Sequence, residues 1–179
     1  LLNLESFMNK LVELYVNDEE DSFFVGYVVD YDSEFCLIES VDTNGCFSSY
    51  ELIRNCTISN IEIDTDYLEV ISKYIEISQK MNIYDKLSLD TIDEKIDNLL
   101  EDILQKELLE ERVISLCLKD DDNYLGYIDS IKEDYIYLNP IDDFSIQEYE
   151  QIKVLKSDIE SLQFKGVILY LLNSIYEEY

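Results

Sequence analysis

A chain of 179 residues with 47% hydrophobic and 12% aromatic content can bury a core without disulfide or metal staples, unlike an acidic disordered tail. Its 41 acidic and 13 basic residues give a net charge of −28, where small soluble domains carry a magnitude of about 2–8. A field of that size repels phosphate backbones and anionic lipid and draws in cations. It argues against direct binding of nucleic acid or membrane and predicts a basic protein partner.

The chain opens without Met, and residues 1–10 lack the basic start and long apolar run of a secretory signal. Within them Leu4, Phe7, Met8 and Leu11 predict a short leading helix. Five strands follow, near 11–16, 23–31, 35–41, 46–54 and 57–63. They are divided by turn-forming stretches at 17–22, 32–34 and 42–45. Alternation is clear from Thr57 to Ile63, with a one-residue irregularity at Ser59–Asn60 that predicts a bulge. Gly26 inside the second strand predicts a tight bend.

Two helices come next. Asp66 and Glu69 have capping-box spacing, ahead of a stripe of Leu68, Ile71 and Ile75 that runs to about Lys80. Thr91 and Glu94 repeat that spacing before Ile92, Ile96, Leu99, Leu100, Ile103 and Leu104, which share one helical face. The strand pattern then returns. The segment from Leu14 to Gly26-Tyr27 parallels that from Leu116 to Gly126-Tyr127, residues 35–42 match 135–142, and 50–54 match 149–153. A shared series of this kind is the mark of an internal repeat. A last helix from about Gly166 is predicted to bury Val167, Leu171 and Ile175. The longest apolar run, 167–172, is far too short to span a bilayer.

The predicted fold is α+β: two tandem five-stranded SH3/Sm-like β-barrel units joined by a two-helix linker, each followed by a helix. The expected divisions are 1–65 for the first barrel unit, 66–110 for the helical linker and 111–179 for the second barrel unit. From Gly26 through Asp32 and Phe35 to Ile38 the chain resembles the first motif of Sm-like proteins. Ile53-Arg54-Asn55-Cys56-Thr57-Ile58 is similar to their second motif. The resemblance implies small β-barrels, but the residues that line the family's RNA-base pocket are replaced. Cys36 stands at the asparagine position and Asn55 at the glycine, and in the second copy Lys132, Ile136 and Lys153-Val154 depart further.

Histidine is absent, which removes imidazole acid–base catalysis, Ser–His and Cys–His pairs and histidine metal ligands. No two of the four glycines lie within ten residues of each other, so there is no glycine-rich phosphate loop. The cysteines Cys36, Cys46, Cys56 and Cys117 form no CxxC pair and read as buried free thiols of a reducing, cytoplasmic setting. The acidic runs Asp18-Glu19-Glu20-Asp21 and Asp120-Asp121-Asp122 occupy equivalent hairpin tips. They lack the spaced ligands and glycine of a calcium loop. No cofactor and no metal is expected.

The composition therefore points to a binding protein and not to an enzyme. The expected function is to occupy a basic, nucleic-acid-binding surface of a partner protein, as a DNA-mimic inhibitor or a phage anti-defence (anti-CRISPR-like) protein does. Asp18, Glu19, Glu20, Asp21, Asp30, Asp32, Asp120, Asp121 and Asp122 are the candidate contact residues. The alternatives are an immunity protein neutralising a cationic toxin, a structural adaptor, and last an Sm-like RNA binder. Nothing in the sequence indicates the oligomeric state.

Overall fold

Residues 3–17, 23–92, 96–120, 122–142, 145 and 149–176 are described by the computed structural model of the chain. It divides into two compact units, 1–95 and 96–179. The first unit holds strands β1 (Leu11–Val16), β2 (Phe23–Tyr31), β3 (Phe35–Val41), β4 (Phe47–Arg54) and β5 (Ile58–Glu62), then helix α1 (Asp66–Lys80). A 3-10 turn at Leu4–Phe7 stands where a leading helix was predicted. The second unit holds α2 (Leu99–Leu109), β6 (Val113–Leu118), β7 (Asn123–Ile131), β8 (Tyr135–Pro140), β9 (Ile152–Leu155), β10 (Ile159–Phe164) and α3 (Val167–Tyr176).

Every ladder is antiparallel. In the first unit the order is β5-β1-β2-β3-β4, and in the second β10-β6-β7-β8-β9. The expectation of closed barrels is overturned: the ten strands, five in each unit, lie in open antiparallel order. Closure needs a ladder between the last two strands of each five. Each such pair is instead joined by a single 3-10 turn, at Asn55–Thr57 and at Lys156–Asp158. β5 spends its one described ladder on β1.

The two-helix linker is corrected too. Leu68, Ile71 and Ile75 of α1 are buried with Val25 and Val41 of the first sheet. α2 packs on β7 and buries Leu99, Leu100, Ile103 and Leu104. Burial of an amphipathic face stabilises a short helix more than propensity does. Each helix therefore belongs to the unit whose sheet covers that face.

Two irregularities recur in both units. In the β1–β5 ladder Tyr15 pairs with Asn60 and Val16 with Ile58, so Ser59 is the extra residue and the predicted bulge is present. The β6–β10 ladder steps from Cys117–Ser161 to Leu118–Ile159, which leaves Glu160 as its counterpart. Val29 and Asp129 are matching extra residues in β2 and β7.

Local polar chemistry decides where the helices begin. The N-cap of α1 is Thr65, one residue before the predicted Asp66, and its hydroxyl accepts the Leu68 N–H at 3.1 Å. The same hydroxyl donates to the buried Glu13 carboxylate. Thr65→Ala is therefore expected to cost about 1–2 kcal/mol, measured as a fall in the urea midpoint with an unchanged m-value. α2 starts at Leu99 and not at Ile92. The Asn98 side chain accepts the Glu101 N–H at 3.1 Å, and Asp102 reaches back to the N–H groups of Asp97 and Asn98. This reciprocal cap outcompetes the predicted one, whose Glu94 lies outside the described residues. In α3 the buried residues are Leu169 and Leu172, while Leu171 and Ile175 face solvent. The sequence of α3 is apolar almost all round, so its periodicity could not select a face.

Candidate partner-binding surface

The strand order sets where each candidate acid can lie. Asp30 is near the end of β2, and Asp32 opens the turn into β3. Phe23, where β2 begins, is nine residues back, about 30 Å along an extended strand. The hairpin residues Asp18, Glu19, Glu20 and Asp21 precede Phe23 and lie outside the described residues, as does Asp121.

Asp32 serves the turn. Its Oδ1 accepts the N–H groups of Glu34 and Phe35 at 2.7 and 2.8 Å. Asp30 Oδ1 accepts the N–H of Tyr31 at 2.8 Å. In the second unit Asp120 and Asp122 are exposed, and the Asp122 carbonyl accepts the Leu118 N–H at 2.9 Å, tying the β6–β7 turn. Because Asp32 holds its turn through its side chain, its carboxylate is fixed in space.

Few cations offset these acids. Arg54 pairs with Glu34 at 3.1 Å and lies over the Phe35 ring at 4.5 Å. Lys73 pairs with Glu69, Lys80 with Glu76, Lys119 with Asp158 and Lys156 with Glu101. Arg112 contacts both Glu107 and Glu110. At least six basic side chains among the described residues are thus engaged by the chain's own carboxylates. The exposed pairs among them, such as Lys73–Glu69 and Lys80–Glu76, add little stability, but each engaged cation leaves fewer to offset the remaining acids.

Two of the positions that the Sm-like motifs associate with a base pocket, Arg54 and Asn55, border a cleft of about 560 Å³, lined also by Leu4, Ser33, Glu34 and Cys56. Arg54 is pinned there between Glu34 and Phe35. Asn55 donates from Nδ2 to the Asp32 carbonyl at 3.0 Å. Cys36 is fully buried, and burial pushes its thiol up to about 12, which suits a core residue and not a nucleophile.

The carboxyls that are buried or half-buried were not legible in the sequence. Glu39 accepts the Tyr84 hydroxyl at 2.5 Å, and neighbouring Asp90 accepts the Tyr50 hydroxyl at 2.7 Å. Burial raises Glu39 above the usual carboxylate range against the opposing Tyr84 bond, and the nearby Asp90 and Asp85 charges add to the rise. This cluster fastens the segment after α1 onto the sheet, where the Phe47 N–H also donates to the Tyr84 carbonyl. Glu107, on the inner face of α2, is 1% exposed, and desolvation raises it despite Arg112, Lys165 and Lys106. Glu13 is buried between the Tyr15 and Thr65 hydroxyls. The faint signal for Glu13 and Glu39 is an acid at a strand position of inward alternation. In a chain with 41 acids that signal is lost.

Among the described residues no group of three or more Asp, Glu, Cys or His side chains is arranged to hold a metal ion. No helix among them is long and apolar enough to cross a membrane. No family model matches the chain, and no curated protein and no solved structure matches it. The resemblance to Sm-like proteins rests on its motifs alone.

Proposed function

We propose that the chain is a non-enzymatic, cytoplasmic acidic binding protein that occupies a basic surface of a partner protein, of the kind that ordinarily holds nucleic acid. The observation that carries this reading is the imbalance of surface charge. The chain is at −28, and the cations of seven ion pairs are already engaged by its own acids. A folded scaffold bearing uncompensated carboxylates presents a partner with negative charge at fixed spacing, as a duplex does with one charge per about 1.7 Å of axis. The electrostatic field speeds the encounter, and fixed carboxylates select partners with matching lysines and arginines.

Affinity capture from lysate, with nuclease added, tests the reading directly. A basic nucleic-acid-binding protein or toxin is expected in the catch. Its affinity should fall by at least tenfold between about 50 and 200 mM salt. Reversing Asp120 and Asp122 to lysine, or Asp18, Glu19 and Asp21 to lysine, should weaken capture without changing the unfolding free energy by more than about 0.5 kcal/mol. A partner held equally well at high salt, or one lost when nuclease removes RNA, would reject the proposal.

A further inference from the structure

Helix α1 carries two apolar faces, and the sheet covers only one. Leu68, Ile71 and Ile75 are buried against the first unit. On the adjoining flank Tyr67, Val70, Tyr74, Ile77 and Met81 are 39%, 45%, 45%, 51% and 62% exposed. Their spacing of three, four, three and four residues is that of a two-stranded coiled-coil seam. The seam continues onto the sheet. The Tyr67 ring meets Phe23 edge-on at 5.7 Å, and Phe23 meets Tyr15 at 5.1 Å. Together these side chains make a contiguous apolar patch on the order of the ~300–600 Å² that is the largest a soluble monomer ordinarily shows.

The charges beside the seam identify its occupant. Elsewhere the chain is strongly acidic, which suits a cationic partner. Over 66–81, however, Asp66, Glu69 and Glu76 are nearly balanced by Lys73 and Lys80. The balance is polar along the axis: the first turn holds Asp66 and Glu69 and the last holds Lys80. An antiparallel copy of the same helix lays its Lys80 end against Asp66 and its Asp66 end against Lys80. Lys73, near the middle, is already paired with its own Glu69, while Lys80, with a side chain 76% exposed, makes only a longer 3.8 Å contact with Glu76. Such a surface is complementary to itself, as a two-fold interface requires. Two such patches face to face approach the ~1,000 Å² of total burial at which specific interfaces begin. Their Tyr, Phe and Met content is that of interface cores.

We infer that the flank of α1 formed by Tyr67, Val70, Tyr74, Ile77 and Met81 is a homodimer interface, in which the α1 helices of two copies pack antiparallel about a two-fold axis near Tyr74. This does not depend on the basic partner proposed above, and salt separates the two. Two chains of −28 repel each other, so screening tightens an apolar self-interface while it weakens a complex held by charge.

Sedimentation velocity of the 179-residue chain from 1 to 200 μM, at 50 and 500 mM salt, tests the inference. A concentration-dependent dimer is expected, at least threefold tighter at the higher salt. Ile77→Glu should raise its dissociation constant tenfold or more. Because Ile77 is half-exposed, the circular dichroism of that variant should match the parent. As a second measurement, Tyr74→Cys in a Cys56→Ser background should form a chain-to-chain disulfide under mild oxidation, whereas Glu69→Cys, on the outer side of the helix, should not. A chain that stays monomeric at 200 μM and 500 mM salt overturns the inference. So does a dimer indifferent to Ile77→Glu, or equal cross-linking through positions 74 and 69.

Discussion

Replacing Gly26 with valine is expected to abolish folding of the first unit. A Cβ built on Gly26 lies 2.2 Å from the Glu39 carbonyl oxygen and 2.6 Å from Ile38 Cγ2. The first obstacle is backbone of the paired strand β3, so no rotamer change relieves it. Glu39 pairs with Tyr27 and Ser40 with Gly26 in the β2–β3 ladder. Moving β3 away breaks that ladder and opens the cluster of Val28, Ile38 and Ile53 that it encloses. Overpacking against side chains alone costs typically ~1–3 kcal/mol. Against fixed backbone in a sheet centre the loss is expected to exceed ~4 kcal/mol, a large part of a domain's ~5–15 kcal/mol stability.

Gly126 in β7 is under the same constraint, 2.3 Å from the Asn139 carbonyl oxygen, so Gly126→Val should do the same to the second unit. Hydrogen exchange read residue by residue would locate the damage. Loss of protection in 23–41 for the first variant and in 123–140 for the second is the expected result. Full protection of both segments would show that the strands can separate at no cost, contrary to the ladder geometry.

Stability is expected to rise as pH falls from 8 to about 5, the reverse of a protein held by salt-bridged carboxylates. The sign follows from the buried acids. Glu39 and Glu107 are both raised above the ordinary carboxylate range, chiefly by desolvation. A carboxyl whose folded pKa exceeds its unfolded value near 4.3 binds its proton more tightly when folded. Its contribution is fully present below the unfolded value and is lost as pH rises through the folded one. Glu69 is shifted downward by Lys73 and works in the opposite sense, but that pair is solvent-exposed and weighs little. Protonating any acid also relieves the self-repulsion of a chain at −28.

Glu39 and Glu107 together should make the protein more stable at pH 5 than at pH 8. Urea denaturation at constant ionic strength measures this. Glu107→Gln keeps an acceptor for Arg112 while removing the buried charge. It should therefore stabilise the protein at pH 8 and flatten its pH profile. If stability instead falls steadily from pH 8 to 5, the buried carboxyls are ionised in the folded state and the desolvation argument fails.

How much of this could be read beforehand varied with the range of the interactions involved. The β1, β2 and β3 boundaries match their prediction because hydrophobic alternation and turn residues such as Asp32 and Asp42 act within a few residues of themselves. The Ser59 bulge was visible for the same reason. The starts of α1 and α3 were legible to within a residue, but the capping bonds and the start of α2 were not. Asn98 and Thr65 are ordinary polar residues until the neighbouring Asp102 and Glu13 give each a second bond. Among the candidate contacts, Asp32 proved to hold a turn, and the α1 flank was overlooked because its stripe runs beside the Leu68–Ile71–Ile75 stripe and reads as part of one broad apolar face.

By itself the sequence determined the strands, the repeat of their order, the absence of imidazole chemistry and the sign of the field, since all of these depend on residue identity and near neighbours. Only the tertiary structure decided whether the sheets close, which face of each helix is covered, which few of many acids lose their solvent, and which glycines must remain so. Those outcomes depend on what surface is left over once strands far apart in the chain have paired. Burial is a property of that assembled surface, and no local pattern encodes it.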